Sequence, residues 1–349
     1  MTENPATMGE TEAPRQSPPT HGGDLAAALT APGAYAGTWL DLSTGINPLP
    51  WPVPAVPAEA WMRLPAADAE ARLLAAARQA YGVPEEAGVV ALPGTQAAIQ
   101  LLPRLFAPAR VTVLGPTYAE HAYCWQQAGH AVSEIDGLPA SLAGTDILIA
   151  VNPNNPDGRA LGRDLLLRWR AELASRGGWL IVDEAFADVL PDISMAGGSA
   201  QPGLLLLRSF GKFFGLAGLR LGFVLGDPAV TAALAAAAGP WAVSGPALEI
   251  GAAALSDAGW QQATRGELQR RTRRFDQGMR DRGIHVLGGT SLFRLAKLGD
   301  AGAFAARLRQ QGIHVRIFTA RPHWMRFGLP ADEAEFWRRL DAVLADGPA

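Results

Sequence analysis

Lys212 lies in Ser209-Phe210-Gly211-Lys212-Phe213-Phe214-Gly215-Leu216-Ala217-Gly218-Leu219-Arg220, a glycine-rich and apolar stretch. The chain carries 30 Lys plus Arg, and only Lys212 and Lys297 are lysines. Arginine supplies positive charge everywhere else, but its pKa is too high to give a neutral amine. A desolvated lysine can lose its proton and attack a carbonyl to form a Schiff base. Solvation alone would be served by arginine, so the retained lysine points to amine chemistry.

Three further stretches have chemistry-bearing residues where an apolar run meets a turn. Leu92-Pro93-Gly94-Thr95 ends a strand and starts a helix, a place where free N–H groups suit a phosphate. No Gly-Lys-Ser/Thr follows, so this is not a nucleotide P-loop. Val151-Asn152-Pro153-Asn154-Asn155-Pro156-Asp157-Gly158 packs turn formers and amides at the end of a buried run. In Leu180-Ile181-Val182-Asp183, a carboxylate closes an apolar strand and calls for a cationic partner. That partner is either an internal arginine or a protonated ring nitrogen. With Ser209 and Arg220 as anion holders, the set amounts to a phosphate cradle, an acid for a ring nitrogen, an amide for a ring hydroxyl and a Schiff-base lysine. Together they describe a pyridoxal 5'-phosphate site.

These residues need a frame that brings them to one edge. Short apolar runs at 89–92, 110–114, 131–135, 146–151, 179–183, 204–207 and 221–225 alternate with helical patterns at 95–106, 119–128 and 163–176. A further amphipathic helix is expected over 67–81. This alternation predicts an α/β fold with a large, doubly wound, mainly parallel sheet, whose ligands collect beyond the strands' carboxyl ends. Past residue 240 the rhythm changes to long helices and short strands, including one expected over 313–318, which reads as a smaller α+β C-terminal domain. The expected organisation is a disordered lead-in over 1–20, an arm over 21–60 that reaches the site, a large domain over 61–240 and a small one over 241–349.

Composition narrows the classes of function. A net charge of −3 gives no electrostatic footprint for nucleic acid or an anionic membrane. No apolar run reaches the roughly 20 residues of a membrane span, and the N-terminus lacks a signal-peptide pattern. The single cysteine, Cys124, permits no internal disulfide, as suits the cytoplasm. The six histidines are scattered without metal-ligand spacing, so no metal is expected.

From His21 to the C-terminus the chain resembles the fold type I pyridoxal-phosphate enzymes, in the branch of histidinol-phosphate aminotransferases and threonine-phosphate decarboxylases. The resemblance implies that Lys212 is the Schiff-base lysine and that Asp183 pairs with the cofactor's pyridinium. It further implies that Asn155 bonds the ring oxygen, that Tyr118 stacks on the ring, and that Gly94, Thr95, Ser209 and Arg220 hold the cofactor phosphate. Arg326, in Met325-Arg326-Phe327-Gly328, matches the arginine that grips the substrate carboxylate. Arg316, His21 and Asn47 are further candidates for substrate contact.

The opening His21-Gly22-Gly23-Asp24 and the stretch Asp41-Leu42-Ser43-Thr44-Gly45-Ile46-Asn47-Pro48 are similar to the cobalamin-pathway decarboxylases. That resemblance implies conversion of L-threonine O-3-phosphate to (R)-1-amino-2-propanol O-2-phosphate and CO2 by a homodimer. Two positions depart from the family pattern: Phe186 and Leu64 stand where many relatives carry tyrosine. The nearest alternative is an aminotransferase acting on histidinol phosphate. A more distant one is a serine acyl-enzyme, since Ser209 and Lys212 have the S-x-x-K spacing, but its companion motifs are missing.

Overall fold

The computed structural model describes residues 18–30, 35–345 and 347, so most of the lead-in expected over 1–20 lies outside the described residues. The chain enters through an arm of short pieces, α1 (Ala26–Leu29), β1 (Leu40–Asp41) and α2 (Ala58–Met62). Between β1 and α2 the proline-rich run is neither helix nor strand, because proline fixes φ and has no N–H to donate. Helix α3 (Ala67–Tyr81) is amphipathic and ends at Gly82, which takes the left-handed conformation with φ 66.

Strands and helices then alternate: β2 (Gly88–Leu92), α4 (Thr95–Leu101), β3 (Arg110–Gly115), α5 (Glu120–Gln127), β4 (Ala131–Asp136), β5 (Ile147–Val151), α6 (Arg163–Ala174), β6 (Trp179–Asp183) and β7 (Leu204–Ser209). The helix expected over 95–106 stops at Leu101 and continues as a 3-10 turn, Leu102–Leu105. Pro103 in that turn cannot make an α-helical hydrogen bond. A single turn, α7 (Phe210–Phe213), carries Lys212 directly after β7, and β8 (Gly222–Gly226) and α8 (Pro228–Ala238) complete this part.

The seven strands form one sheet in the order β2-β8-β7-β6-β5-β3-β4. Neighbours from β7 through β4 pair in parallel, while β8 is antiparallel to both β2 and β7. Strands β5, β7 and β8 are buried at every position, which explains the apolar runs Ile147 to Val151, Leu204 to Leu207 and Phe223 to Leu225. Leu180, Val182, Leu204 and Leu206 belong to one apolar face, and Ile181, Leu205, Leu207 and Val224 to the other. A period of two thus supplies both layers.

The C-terminal part contains α9 (Gly245–Ser256), α10 (Ala258–Asp281), β9 (His285–Thr290), β10 (Phe293–Lys297), α11 (Ala301–Gln310), β11 (Ile313–His314), β12 (Arg316–Ile317), β13 (Trp324–Gly328) and α12 (Glu333–Ala345). A four-stranded antiparallel sheet runs β12-β13-β10-β9. The strand expected over 313–318 is two pieces: β11 pairs in parallel with β1 of the arm, and β12 with β13. The arm is therefore stitched to the C-terminal part. Val315 between the two pieces is buried, and Arg316 beyond it is turned to the cavity described below.

Leu206 lies at the centre of β7 and is fully buried. Leu206→Ala is expected to lower the unfolding free energy by about 2–5 kcal/mol, read as a lower urea midpoint at unchanged slope. An unchanged midpoint would show that β7 does not carry the core.

Candidate active site

The carboxyl ends of β2, β3, β5, β6 and β7 meet at one cavity of about 510 Å³, within the usual range of roughly 300–1,000 Å³ for small-molecule sites. Lys212, Asp183, Asn155 and Tyr118 all line it, as do Gly94, Thr95, Ser209 and Arg220. From outside the seven-stranded sheet, Arg316, Arg326 and His21 line it too.

Asn47 does not line the cavity. It is buried, its Nδ2 donates to Phe213 O (2.8 Å), and its Oδ1 accepts from Leu49 N (2.9 Å). Its own N–H donates to Lys212 O at 2.9 Å. The expectation that Asn47 contacts substrate is corrected: its side chain is spent on the backbone, where it holds the lysine turn from behind.

Lys212 is partly buried at the cavity, next to the end of β7. Burial lowers its pKa to about 8, and the Arg326 and Arg220 guanidinium groups push in the same direction while Asp183 opposes them. Among the described residues, no hydrogen bond joins Lys212 Nζ to Ser209 Oγ, which removes the defining contact of an S-x-x-K hydrolase.

Asp183 ends β6 and is buried. Its Oδ1 accepts from Ala185 N (2.9 Å) and its Oδ2 from His121 Nε2 (2.9 Å). The partner is thus a histidine on α5, not an arginine. Sequence reasoning missed His121, because α5 contributes it from the first turn of an otherwise ordinary helix. Gln96 and Glu120 were missed as well. Tyr118 Oη donates to Gln96 Oε1 (3.0 Å), Gln96 Nε2 donates to Glu120 Oε2 (2.8 Å), and His21 Nε2 lies 2.7 Å from Glu120 Oε1. Burial is the main cause that raises the Tyr118 pKa, with the Glu120 charge adding to it, so its phenol stays protonated.

Arg220 occupies the left-handed region at φ 55, a costly conformation for a residue with a side chain. Its guanidinium stands over the start of α4. A Cβ on Gly94 (φ 84) would lie 2.7 Å from Arg220 Nη2, so only glycine fits there. Gly222 of β8 is equally constrained, since a Cβ would come within 2.6 Å of Thr95 N. Among the described residues the Arg220 side chain has one hydrogen bond, to Ala217 O at 3.2 Å, and its charge meets no carboxylate.

Arg326 is buried, and Nη1 donates to Asn155 Oδ1 (2.5 Å) and Nη2 to Ser43 O (2.7 Å). Its Nε is buried without a partner, and the guanidinium lies 5.2 Å from the Phe293 ring centroid. Burial, then repulsion from Arg316, lowers its pKa to about 10. A buried guanidinium held only by neutral groups is a receptor for an anion.

The sequence model of the family described as Aminotransferase class I and II matches residues 59–340. The chain belongs to this family. It is 47% identical over 326 residues to a threonine-phosphate decarboxylase of Pseudomonas aeruginosa, covering 93% of this chain and 96% of the relative. It is 45% identical to a threonine-phosphate decarboxylase of a Sinorhizobium species, covering 94% and 98%. A histidinol-phosphate aminotransferase of Sinorhizobium meliloti, solved in complex with pyridoxal-5'-phosphate, has the same fold, with a TM-score of 0.68 at 21% identity over 80% of this chain and 82% of that one.

The family's cofactor is pyridoxal phosphate, and the cavity fits it. It offers an anion a guanidinium, Arg220, over a positive-φ glycine, a cationic ring nitrogen a fixed carboxylate, Asp183, and a carbonyl a lysine whose pKa burial brings down to about 8.

In cofactor-free protein, Lys212 is charged below pH about 8 and neutral above it. The rate of its modification by an amine reagent is expected to rise through pH 8. Arg326→Gln removes a repelling cation and moves the midpoint up, whereas Asp183→Asn removes an attraction and moves it down. A wild-type midpoint near the ordinary 10.5 would contradict the desolvated site.

Proposed function

We propose that this member of the class I and II aminotransferase family is a pyridoxal-phosphate-dependent decarboxylase. It converts L-threonine O-3-phosphate to (R)-1-amino-2-propanol O-2-phosphate and CO2 in cobalamin biosynthesis. The observation that carries the reading is the pair Arg326 and Arg316 at one cavity. Among the described residues neither is paired with a carboxylate: Arg326 holds neutral oxygens, and Arg316 Nη2 donates to Thr20 O at 2.6 Å. Two guanidinium groups whose charge is balanced by no described carboxylate suit a substrate with two acidic groups, a carboxylate and a phosphate. Similarity to two threonine-phosphate decarboxylases over nearly the whole chain supports the same reading.

When bound, the cofactor supplies an electron sink for the pair left on the α-carbon as CO2 departs. The chain's residues do the remaining work. Arg220, Ser209 and the backbone around Gly94 and Thr95 hold the cofactor's phosphate. Asp183, oriented by His121, keeps a negative charge at the ring nitrogen. Asn155 Oδ1 is taken by Arg326, which leaves its Nδ2 to donate to the ring oxygen. Phe186 lines the cavity with an apolar edge where a tyrosine would add a second donor. Tyr118 closes one face of the ring.

Arg326 grips the carboxylate and Arg316 the phosphate, so the substrate is fixed at both ends, and the direction of the Cα–carboxylate bond is fixed with it. Lys212 Nζ is the group able to hold or return a proton at the α-carbon. The walls formed by Phe186 and Tyr118 limit water near the reacting carbon.

The seven-stranded and four-stranded parts correspond, in this reading, to a large and a small domain that bring opposite walls to the cavity. The enzyme works in the cytoplasm, in keeping with a lone cysteine whose thiol burial pushes up to about 12. Among the described residues no helix is long and apolar enough to cross a membrane.

The assembly we propose is a homodimer. Trp61, Met62 and Leu64 are 68%, 74% and 66% exposed on and just after α2, and Trp241 is 58% exposed. A Cβ on Gly245 would lie 2.2 Å from Ala60 O, so α2 is pinned beside the turn that holds Trp241. Large apolar side chains left bare on one side are a signature of an interaction face.

Two experiments check these statements. Purified holoenzyme given L-threonine O-3-phosphate is expected to release CO2 in proportion to amine product. Amino-group transfer from histidinol phosphate without CO2 release would contradict the decarboxylase reading. Trp61→Asp is expected to convert a dimer to a monomer in light scattering, and a monomeric wild-type protein would refute the assembly.

A further inference from the structure

The motif His21-Gly22-Gly23-Asp24 forms a strap at the cavity's edge, and three contacts hold it. His21 reaches Glu120, Thr20 O accepts from Arg316, and Gly23 N donates to Ser43 Oγ at 2.7 Å. The third contact explains both glycines. A Cβ on Gly22 would lie 2.5 Å from Ser43 O, and Gly23 sits at φ 89. The strap's backbone therefore rests directly on Ser43, bonded to its hydroxyl at Gly23 and packed against it at Gly22.

Ser43 is fully buried, and its hydrogen-bonding groups are shared between two structures. Its hydroxyl donates to Asp41 Oδ1 (2.6 Å) while accepting from Gly23 N, and its own N–H donates to the same Asp41 oxygen (2.9 Å). Its carbonyl accepts from Arg326 Nη2 (2.7 Å). The neighbouring Leu42 is tied on both sides, its N–H to His314 O of β11 and its carbonyl to Gly328 N of β13, so the segment is held between β11 and the four-stranded sheet. One residue thus touches the strap with its side chain and the carboxylate-receiving arginine with its backbone.

We propose that Ser43 is a positioning residue for substrate capture, coupling the seating of the Thr20–Asp24 strap to the orientation of Arg326. This rests on the reading that Arg326 receives the substrate carboxylate. With the hydroxyl clamped between Asp41 and Gly23, the Ser43 peptide is held with its carbonyl toward Arg326. Asn155 holds the other side of the guanidinium, so the fork has one plane. Loss of the hydroxyl leaves Gly23 N unpaired and Asp41 Oδ1 with the Ser43 N–H alone, frees the strap and loosens the carbonyl. No bond is made or broken in this role; it sets how well the substrate is held, not how its bond breaks.

The test uses full-length holoenzyme with L-threonine O-3-phosphate. Ser43→Ala is expected to raise KM roughly tenfold, as loss of one buried hydrogen bond would, with kcat changed by less than about threefold. Hydrogen exchange at the Gly23 amide should become faster, and substrate should no longer slow it. Gly22→Ala, which wedges the strap off Ser43 without opening the core, should give the same KM rise and the same loss of protection. It also serves if Ser43→Ala does not fold.

A wild-type KM in both variants overturns the proposal. So does a fall in kcat as large as the rise in KM with Gly23 exchange unchanged. Arg326→Gln separates the two layers of the argument: a wild-type KM there overturns the assignment of the carboxylate to Arg326, whatever Ser43 does.

Discussion

The site depends on the burial of cations in a cavity short of acids to neutralise them. Lys212, Arg220 and Arg326 face that cavity with the carboxylates of Asp183 and Glu120, and Glu120 is already engaged by Gln96 and His21. Burial raises the cost of each charge and weakens the screening between them. Arginine keeps its proton under this pressure, while the lysine's pKa is brought down to about 8. The lysine can therefore reach its neutral form near physiological pH, and the arginines stay charged to attract anions. A nucleophilic amine and a set of anion receptors follow from the same imbalance.

The sheet makes that imbalance possible by its period of two. Asp183 and Ser209 point into the cavity, while their chain neighbours Glu184 and Arg208 form a separate buried cluster. Arg208 Nη1 donates to Glu184 Oε2 (2.9 Å), Nη2 bonds Asp188, and the guanidinium lies over the Tyr81 ring. Glu184 also accepts from Ser194 Oγ (2.6 Å) and Met195 N (2.7 Å). A shift of one residue in either strand would exchange the two sets and bury a charge without its partner. The paired cluster thus fixes the register in which Asp183 and Ser209 face the cofactor's place.

Much of this was legible in the sequence, for a physical reason. Buried parallel strands need unbroken apolar runs, so Leu204 to Leu207 and Ile147 to Val151 announce themselves. The residues that follow those runs line the cavity, as Asp183 and Asn155 do, whereas Lys212 stands out as one of two lysines in a chain that otherwise uses arginine. Contacts between distant segments left no such trace. His121 as partner of Asp183, the Gln96–Glu120 link to Tyr118, and the spending of Asn47 on Phe213 all depend on which helix or loop folds over which strand end. Pro103 and Val315 altered elements locally, one by lacking an N–H and the other by turning inward between two short strands.

In the proposed enzyme Lys212 is the amine that holds the cofactor. Borohydride reduction of the holoenzyme, followed by proteolysis and mass spectrometry, tests it directly. A cofactor-mass adduct is expected on the peptide containing Lys212. An adduct on Lys297 instead, or none on either lysine, would contradict it.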